Sequence, residues 1–337
     1  MRRKPLPRQL GPHFSVADAR RAGLSVGRLR ADDLERPFHG IRSSVSDRSI
    51  AIDRWGKPLG PVEAEHVRRA RAFASRMGSA EFFTHVTAAV IWGLPLPREV
   101  VADAALDVGV FRPHRLPRGH GVRGHEVSPA LASVLVEPRT GLRVASTAST
   151  WAMLGSVLHD IHDLIVAGDA AVREWRVSDP LATPEQLAAA TSAGRRVGVG
   201  ALRAALPYIR TRSASRTESL TRLVLVEAGL PEPELNYDVV EAGEVLGAVD
   251  LAYPALRIAV EYEGEHHLLD PDQWARDIAR YDHLRMPGGA SSGSRSGSSS
   301  RRRIAWSLEF VRRSRSAPER LPPCGLARPK RPPQLII

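Results

Sequence analysis

Two extended runs that meet at Tyr253-Pro254-Ala255 constrain this chain more than any other stretch. Gly243–Ala252 and Arg257–Gly264 are rich in β-branched residues and flank a turn, so they predict an antiparallel hairpin. The strand period of two then puts Glu261 and Glu263 on one face. Asp250 lies just before the turn on the neighbouring strand, within reach of that face. Upstream, Ser215–Glu227 reads as a helix with Leu220, Leu223, Val224 and Leu225 on or near its buried side. Gly229 ends it, and Pro231 and Pro233 prevent its continuation. Glu218, one turn into that helix, approaches the acidic face from the side. Carboxylates converging on an apolar sheet repel one another unless a cation lies between them. Oxygen-rich ligation of this kind suits Mg2+ or Mn2+. Glu265-His266-His267 follow, bringing imidazoles to the same neighbourhood. Alone, Glu261 and Glu263 would read as an exposed strand face; Asp250 and the Gly264-x-x-His267 step set them apart.

The runs Val249-Asp250-Leu251-Ala252-Tyr253-Pro254 and Ile258-Ala259-Val260-Glu261-Tyr262-Glu263-Gly264-Glu265-His266-His267 resemble uncharacterised-domain family 559. That family is related to the very-short-patch-repair endonucleases, with a PD-(D/E)XK, restriction-endonuclease-like fold. It typically shows a helix Glu, a V-D-L-A-Y strand and then E-Y-D-G-x-x-H. Carried over by position, these are Glu218, Asp250, Glu261 and His267. Glu263 departs from the usual Asp, keeping the charge but adding a methylene. The resemblance implies metal-assisted phosphodiester hydrolysis on DNA, with no small-molecule cofactor. Asp250 and Glu261, with Glu263, would hold Mg2+ (or Mn2+), which polarises the phosphate and lowers the pKa of a bound water. Glu263 or His267 would orient or deprotonate that water, or His267 would contact the phosphate.

At the N-terminus, Phe14–Gly23 reads as a short helix capped by Ser15 and stopped at Gly23. Ser25–Leu34 reads as a second helix, with Val26 and Leu29 inward and Arg28 and Arg30 outward. With the extended piece Pro37–Arg42 these predict a winged helix-turn-helix. Arg28 and Arg30 are then the expected DNA contacts, at phosphates or bases. The segment resembles the N-terminal winged-helix domain of abortive-infection type IV antitoxins, which implies DNA contact and a possible partner toxin. Winged helices also serve as protein-interaction modules.

The middle of the chain offers less chemistry. Val62–Met77 and Thr84–Trp92 have helical patterns, the latter stopped by Gly93 and Pro95, and Val101–Val110 alternates as strands do. Arg112–His125 is rich in Arg, His, Gly and Pro and is read as a solvated loop, with a phosphate-crossing loop as the sharper reading. His159, His162 and Asp163 formally permit metal ligation, but the stripe Ile161, Leu164 and Ile165 makes them the wet face of a buried helix. The region resembles the central part of actinobacterial proteins that join an antitoxin-like front half to a nuclease-like back half.

Charge needs dividing before it is interpreted. The net +11 of the 337 residues splits into +6 over Met1–Ser43, +10 over Arg285–Ile337 and −5 between them. The basic balance thus says little about the centre. A single cysteine, Cys324, excludes disulfides and cysteine-based zinc sites and fits a reducing cytoplasm. No apolar run approaches a membrane span, and no apolar segment follows the basic start, so neither a membrane protein nor a secreted one is expected.

Arginine supplies 45 of the 48 Lys and Arg residues, as GC-rich codons dictate, and this bears on the tail. After Met286 hydrophobic periodicity vanishes into a Ser/Arg-rich run, whose bland reading is a disordered tail binding RNA or acidic partners. The resembled family continues instead with A-G-W-R-V-x-R-V, a strand, and a final helix. Inserting one G after the Met286 codon of a GC-rich back-translation yields M-A-G-W-R-V-V and then such a strand and helix. The expectation is therefore a frameshift that uncovers the sheet edge and impairs the enzyme. The expected fold is an α+β or α/β multidomain chain. It places a winged helix-turn-helix over 1–45, an antitoxin-like middle region over 46–205, a truncated endonuclease-like core over 206–286 and a disordered tail over 287–337. The expected function is a Mg-dependent DNA endonuclease in the cytoplasm. The alternative is a non-enzymatic DNA-binding regulator, or type IV antitoxin-like protein, that keeps the nuclease fold as scaffold.

Overall fold

A computed structural model of the chain describes residues 5–45, 51–54, 56, 58–102, 104–177, 179–241, 243–262 and 307–311. It mixes helices with three sheets and divides into two compact units. The first comprises Met1–Val172 with Ser178–Ile209, and the second Arg173–Val177 with Arg210–Ile337.

The first unit opens with β1 (His13–Ser15), α1 (Val16–Arg21), β2 (Leu34–Glu35) and β3 (Ile41–Ser44), the strands ordered β1-β3-β2. Ser15 caps α1 as expected, its Oγ accepting the Asp18 N–H at 3.0 Å, and Gly23 follows at φ +79°. The expected second helix is absent: Ser25–Leu34 makes only a 3-10 turn over Arg28–Arg30. The buried residues explain why. Leu24, Leu29 and Leu34 join Phe14 and Ala19 in one cluster, and a spacing of five is out of step with a helix. Val26, expected inward, is instead exposed.

Next come α2 (Pro61–Ala74), β4 (Glu81–Phe83), α3 (His85–Trp92), α4 (Arg98–Ala102), β5 (Leu106–Phe111), β6 (Val122–Val127), β7 (Val134–Val136) and β8 (Arg143–Ala145). The strands form a five-stranded mixed sheet ordered β6-β5-β4-β8-β7. Helix α3 is buried from Val86 to Trp92, and Gly93 ends it at φ +76°, a left-handed conformation that glycine adopts without a Cβ clash. The alternating stretch Val101–Val110 holds the end of α4 and then β5 rather than strands throughout. Four helices complete the unit: α5 (Thr147–Leu154), α6 (Ile161–Val172), α7 (Pro184–Ser192) and α8 (Val199–Ala205). Trp151 of α5 is fully buried and donates its indole N–H to Leu164 O at 2.9 Å. Helix α6 starts after His159, and of the expected wet face His159 is exposed and Asp163 half-buried while His162 is not wet. His162 and Asp169 are both buried, and His162 Nδ1 lies 2.9 Å from Asp160 Oδ1.

The second unit contains α9 (Arg216–Glu227), β9 (Glu234–Glu241), β10 (Glu244–Tyr253), β11 (Ile258–Tyr262) and β12 (Ser307–Val311). The hairpin of β10 and β11 is present, with Leu251 opposite Val260. Leu251, Val260 and Leu235 pack against Leu225 of α9, so the helix covers the sheet with its apolar side. Strand β9, which sequence periodicity did not single out, pairs antiparallel with β10 across a bulge between Val245 and Gly247. The uncovered edge expected beside β11 is also corrected. Ser307–Val311 pairs with it in parallel, Val260 opposite Glu309, giving the order β12-β11-β10-β9. The remainder of the tail expected to be disordered lies outside the described residues.

Candidate acidic site on the second sheet

Helix α9 begins where the sequence says it should. Ser215 Oγ accepts the Glu218 N–H at 3.2 Å, which fixes Glu218 as the third residue of the helix. An acidic residue is favoured there by the free N–H groups and the helix dipole. Yet Glu218 is only 6% exposed, and its carboxylate turns inward. Its Oε2 accepts the Ala214 N–H at 2.8 Å and the Asn236 Nδ2 at 2.7 Å. Both donors are neutral. Burial, and then the charge of Asp250, hold its pKa above the ordinary carboxylate value, against the lowering effect of those hydrogen bonds.

Asn236 is what sequence reasoning missed. It sits in β9 at φ +46°, a left-handed conformation that Asn tolerates better than most residues. Its amide donates to Glu218 and also to Arg212 O at 2.6 Å. Arg212 returns the contact, donating to Leu235 O at 3.1 Å and Asn236 O at 2.6 Å. The loop before α9 is thereby clamped to the edge strand, and Glu218 is fixed at one position. Nothing in the sequence of β9 shows that its Asn departs from the strand conformation.

Asp250, half-buried, lies in β10 between Val249, opposite Tyr237, and Leu251, opposite Leu235. Because Leu251 pairs with Val260, Asp250 and Glu261 are the next positions along the two strands. Successive residues alternate faces, so positions 250 and 261 share the face opposite Leu251 and Val260. The structure thus brings Asp250 to electrostatic range of Glu218 and puts position 261 beside it on the sheet. The side chain of Glu261, together with Glu263, Glu265, His266 and His267, lies outside the described residues. Among the described residues no group of three or more His, Cys, Asp or Glu side chains is gathered in a way that could hold a metal.

The other expected contacts fare differently. Arg28 is not turned outward: both guanidinium nitrogens donate to the two carboxylate oxygens of Asp33, each at 2.8 Å, and its side chain is 10% exposed. Arg30 is exposed. A cavity of about 220 Å³ in the first unit is lined by residues including His13, Glu65, Arg68 and Arg71, and by none of the expected site residues. No helix among the described residues is long and apolar enough to cross a membrane.

Among curated proteins, the chain is similar to uncharacterized protein MT2308 of Mycobacterium tuberculosis (strain CDC 1551 / Oshkosh) and uncharacterized protein Rv2248 of Mycobacterium tuberculosis (strain ATCC 25618 / H37Rv). Each is 38% identical over 120 residues, which is 36% of this chain and 43% of the relative. The chain therefore spans less than half the length of the curated relatives it matches. No family model matches it, and no solved structure does.

Proposed function

We propose that the second unit carries a Mg2+- or Mn2+-dependent DNA endonuclease site built on Glu218, Asp250 and Glu261, with Glu263 and His267 completing it. One observation carries the reading: a buried carboxylate positioned by neutral donors, with the charge of a second carboxylate, Asp250, acting on it. Such a pair is strained by like-charge repulsion, and a divalent cation with oxygen ligands relieves it. The donor chemistry therefore fits a hard cation. Asp250 and Glu261 would hold it from adjacent strands, and Glu218 would stand beside them from α9. When bound, the cation supplies Lewis-acid polarisation of a phosphodiester and a more acidic water. The protein's own part is to fix the carboxylates: Asn236 and the Ala214 N–H orient Glu218, and the paired strands hold positions 250 and 261 together. Restriction-endonuclease-like architecture, cytoplasmic action and a partner toxin belong to the same proposal.

The test is nicking of supercoiled plasmid by this chain, and by a chain whose tail is restored to the alternative frame, with Mg2+ and with EDTA. Metal-dependent nicking that is lost in Asp250→Asn supports the site. Nicking that persists in EDTA, or in Asp250→Asn, removes it, and no nicking by either chain favours the regulator reading.

A further inference from the structure

The ten residues that connect β5 to β6 join two parallel neighbours, a connection near the shortest that such a pair allows. Over positions 112–123 the chain carries Arg112, His114, Arg115, Arg118, His120 and Arg123, with no Asp or Glu. All six are exposed. Carboxylates reach only the two ends of this run. Arg112 pairs with Glu126, and Arg123 lies 3.7 Å from Asp107, which is already engaged by His125 at 2.8 Å. Among the described residues, Arg115 and Arg118 have no carboxylate partner.

A solvated loop would spread such charges by moving, but this one is pinned. Pro117 at its middle is buried. A Cβ added to Gly124 would lie 2.2 Å from Pro117 O, so strand and loop backbones touch. Gly121 O accepts the Leu106 N–H at 2.9 Å, Gly119 O accepts the Val122 N–H at 3.1 Å, and Phe111 O accepts the His114 N–H at 3.0 Å. Like charges held together on a fixed frame repel, and an array of phosphates removes that cost while a single small anion leaves most of it. The run has no Phe, Tyr or Trp on which an unpaired base could stack, and no Asn or Gln to read a base edge.

We propose that the β5–β6 connection is a contact surface for the phosphate backbone of double-stranded DNA, read without sequence preference and carried chiefly by Arg115 and Arg118. It moves the expected DNA footprint of the first unit away from Arg28, whose guanidinium is spent on Asp33. It shares with the nuclease reading only the polyanionic partner and requires no metal.

The test is fluorescence anisotropy of a labelled random-sequence duplex with the full chain in EDTA, across a salt series. Arg115→Ala/Arg118→Ala should lower the magnitude of the slope of log K against log salt by about 2, since each phosphate contact contributes about 0.9. The basic residues beyond Arg285 contribute equally to both proteins and cancel. Arg115→Lys/Arg118→Lys should restore most of the slope. An unchanged slope in the alanine variant overturns the proposal. So does displacement of the duplex by a polyglutamate peptide of matched charge at equal concentration, which would make the surface one for an acidic protein. Failure to nick plasmid leaves this result untouched, so the two readings fall separately.

Discussion

Two buried carboxylates, Asp107 in the first unit and Glu218 in the second, are treated in opposite ways. Asp107 of β5 is 1% exposed and is met by cationic or potentially cationic groups: His125 at 2.8 Å, with the exposed Arg123 at 3.7 Å. Its backbone N–H donates to Thr87 Oγ1 at 2.8 Å, and that hydroxyl also contacts His66 Nε2 at 2.9 Å. Glu218 of α9 is 6% exposed and is met by neutral donors and, electrostatically, by another carboxylate. A buried charge with its counter-charge is an ordinary piece of scaffold. One that faces its own kind is strained until something positive arrives.

The largest expected effect breaks the first half of that contrast. Asp107→Ala should cost about 3–5 kcal/mol, because it strips His125 of its partner and leaves a void at a buried position of β5. The urea midpoint should fall accordingly.

Acid sharpens the contrast next. Burial lowers the pKa values of His66 and His85 to about 4, with nearby Arg69 adding to the shift of His66 and His125 to that of His85. Depressed histidines favour the neutral form in the fold, so their stabilisation is complete above the unfolded value of about 6.5. It is lost as pH falls from there to about 4, with about 3 kcal/mol each as the upper limit. Glu218 runs the other way. Its raised pKa is a penalty above the folded value, relieved as pH falls through it towards the unfolded one. Denaturation followed from pH 7 to pH 4.5 should show stability falling, and falling more steeply in Glu218→Gln, which lacks the compensating gain. Equal slopes would mean that Glu218 is not strained.

At pH 7 and without metal, Glu218→Gln should raise stability by about 1 kcal/mol, since it removes a repulsion and keeps an acceptor for Ala214 and Asn236. Thermal melts with and without Mn2+ check this: the cation should stabilise the parent chain and leave the variant less affected. The smallest effect is expected at Arg28→Ala. Its pair with the partly exposed Asp33 is worth at most about 1 kcal/mol, and duplex affinity should not change.

How much of this was legible depended on distance along the chain. Ser15, Ser215 and Gly93 were readable because a cap acts within one helical turn. The β10–β11 hairpin was readable for the same reason, with its turn between two β-branched runs. The second helix of the N-terminal segment was not, because its leucines recur every five residues while the polar residues between them imitate an amphipathic surface. The cluster around Asp107 was invisible. A ten-residue connection usually makes an antiparallel pair, and only the parallel register sets Asp107 opposite Arg123 and Gly109 opposite His125. Within the acidic site, Glu218 and Asp250 could be named from spacing. Asn236, which holds Glu218, could not, because its role depends on a left-handed backbone and on a strand pairing.

The parallel partner of β11 has a temporal consequence. Strand β11 ends at Tyr262 and β12 begins at Ser307, so the outermost pair of the second sheet waits for positions 263–306 to be synthesised. At roughly 5–20 residues per second, a nascent chain leaving the ribosome carries β10 and β11 for several seconds with a bare rim of N–H and C=O groups. That interval is when neighbouring nascent chains could pair wrongly along the same rim, and when a ribosome-associated chaperone would have most to protect.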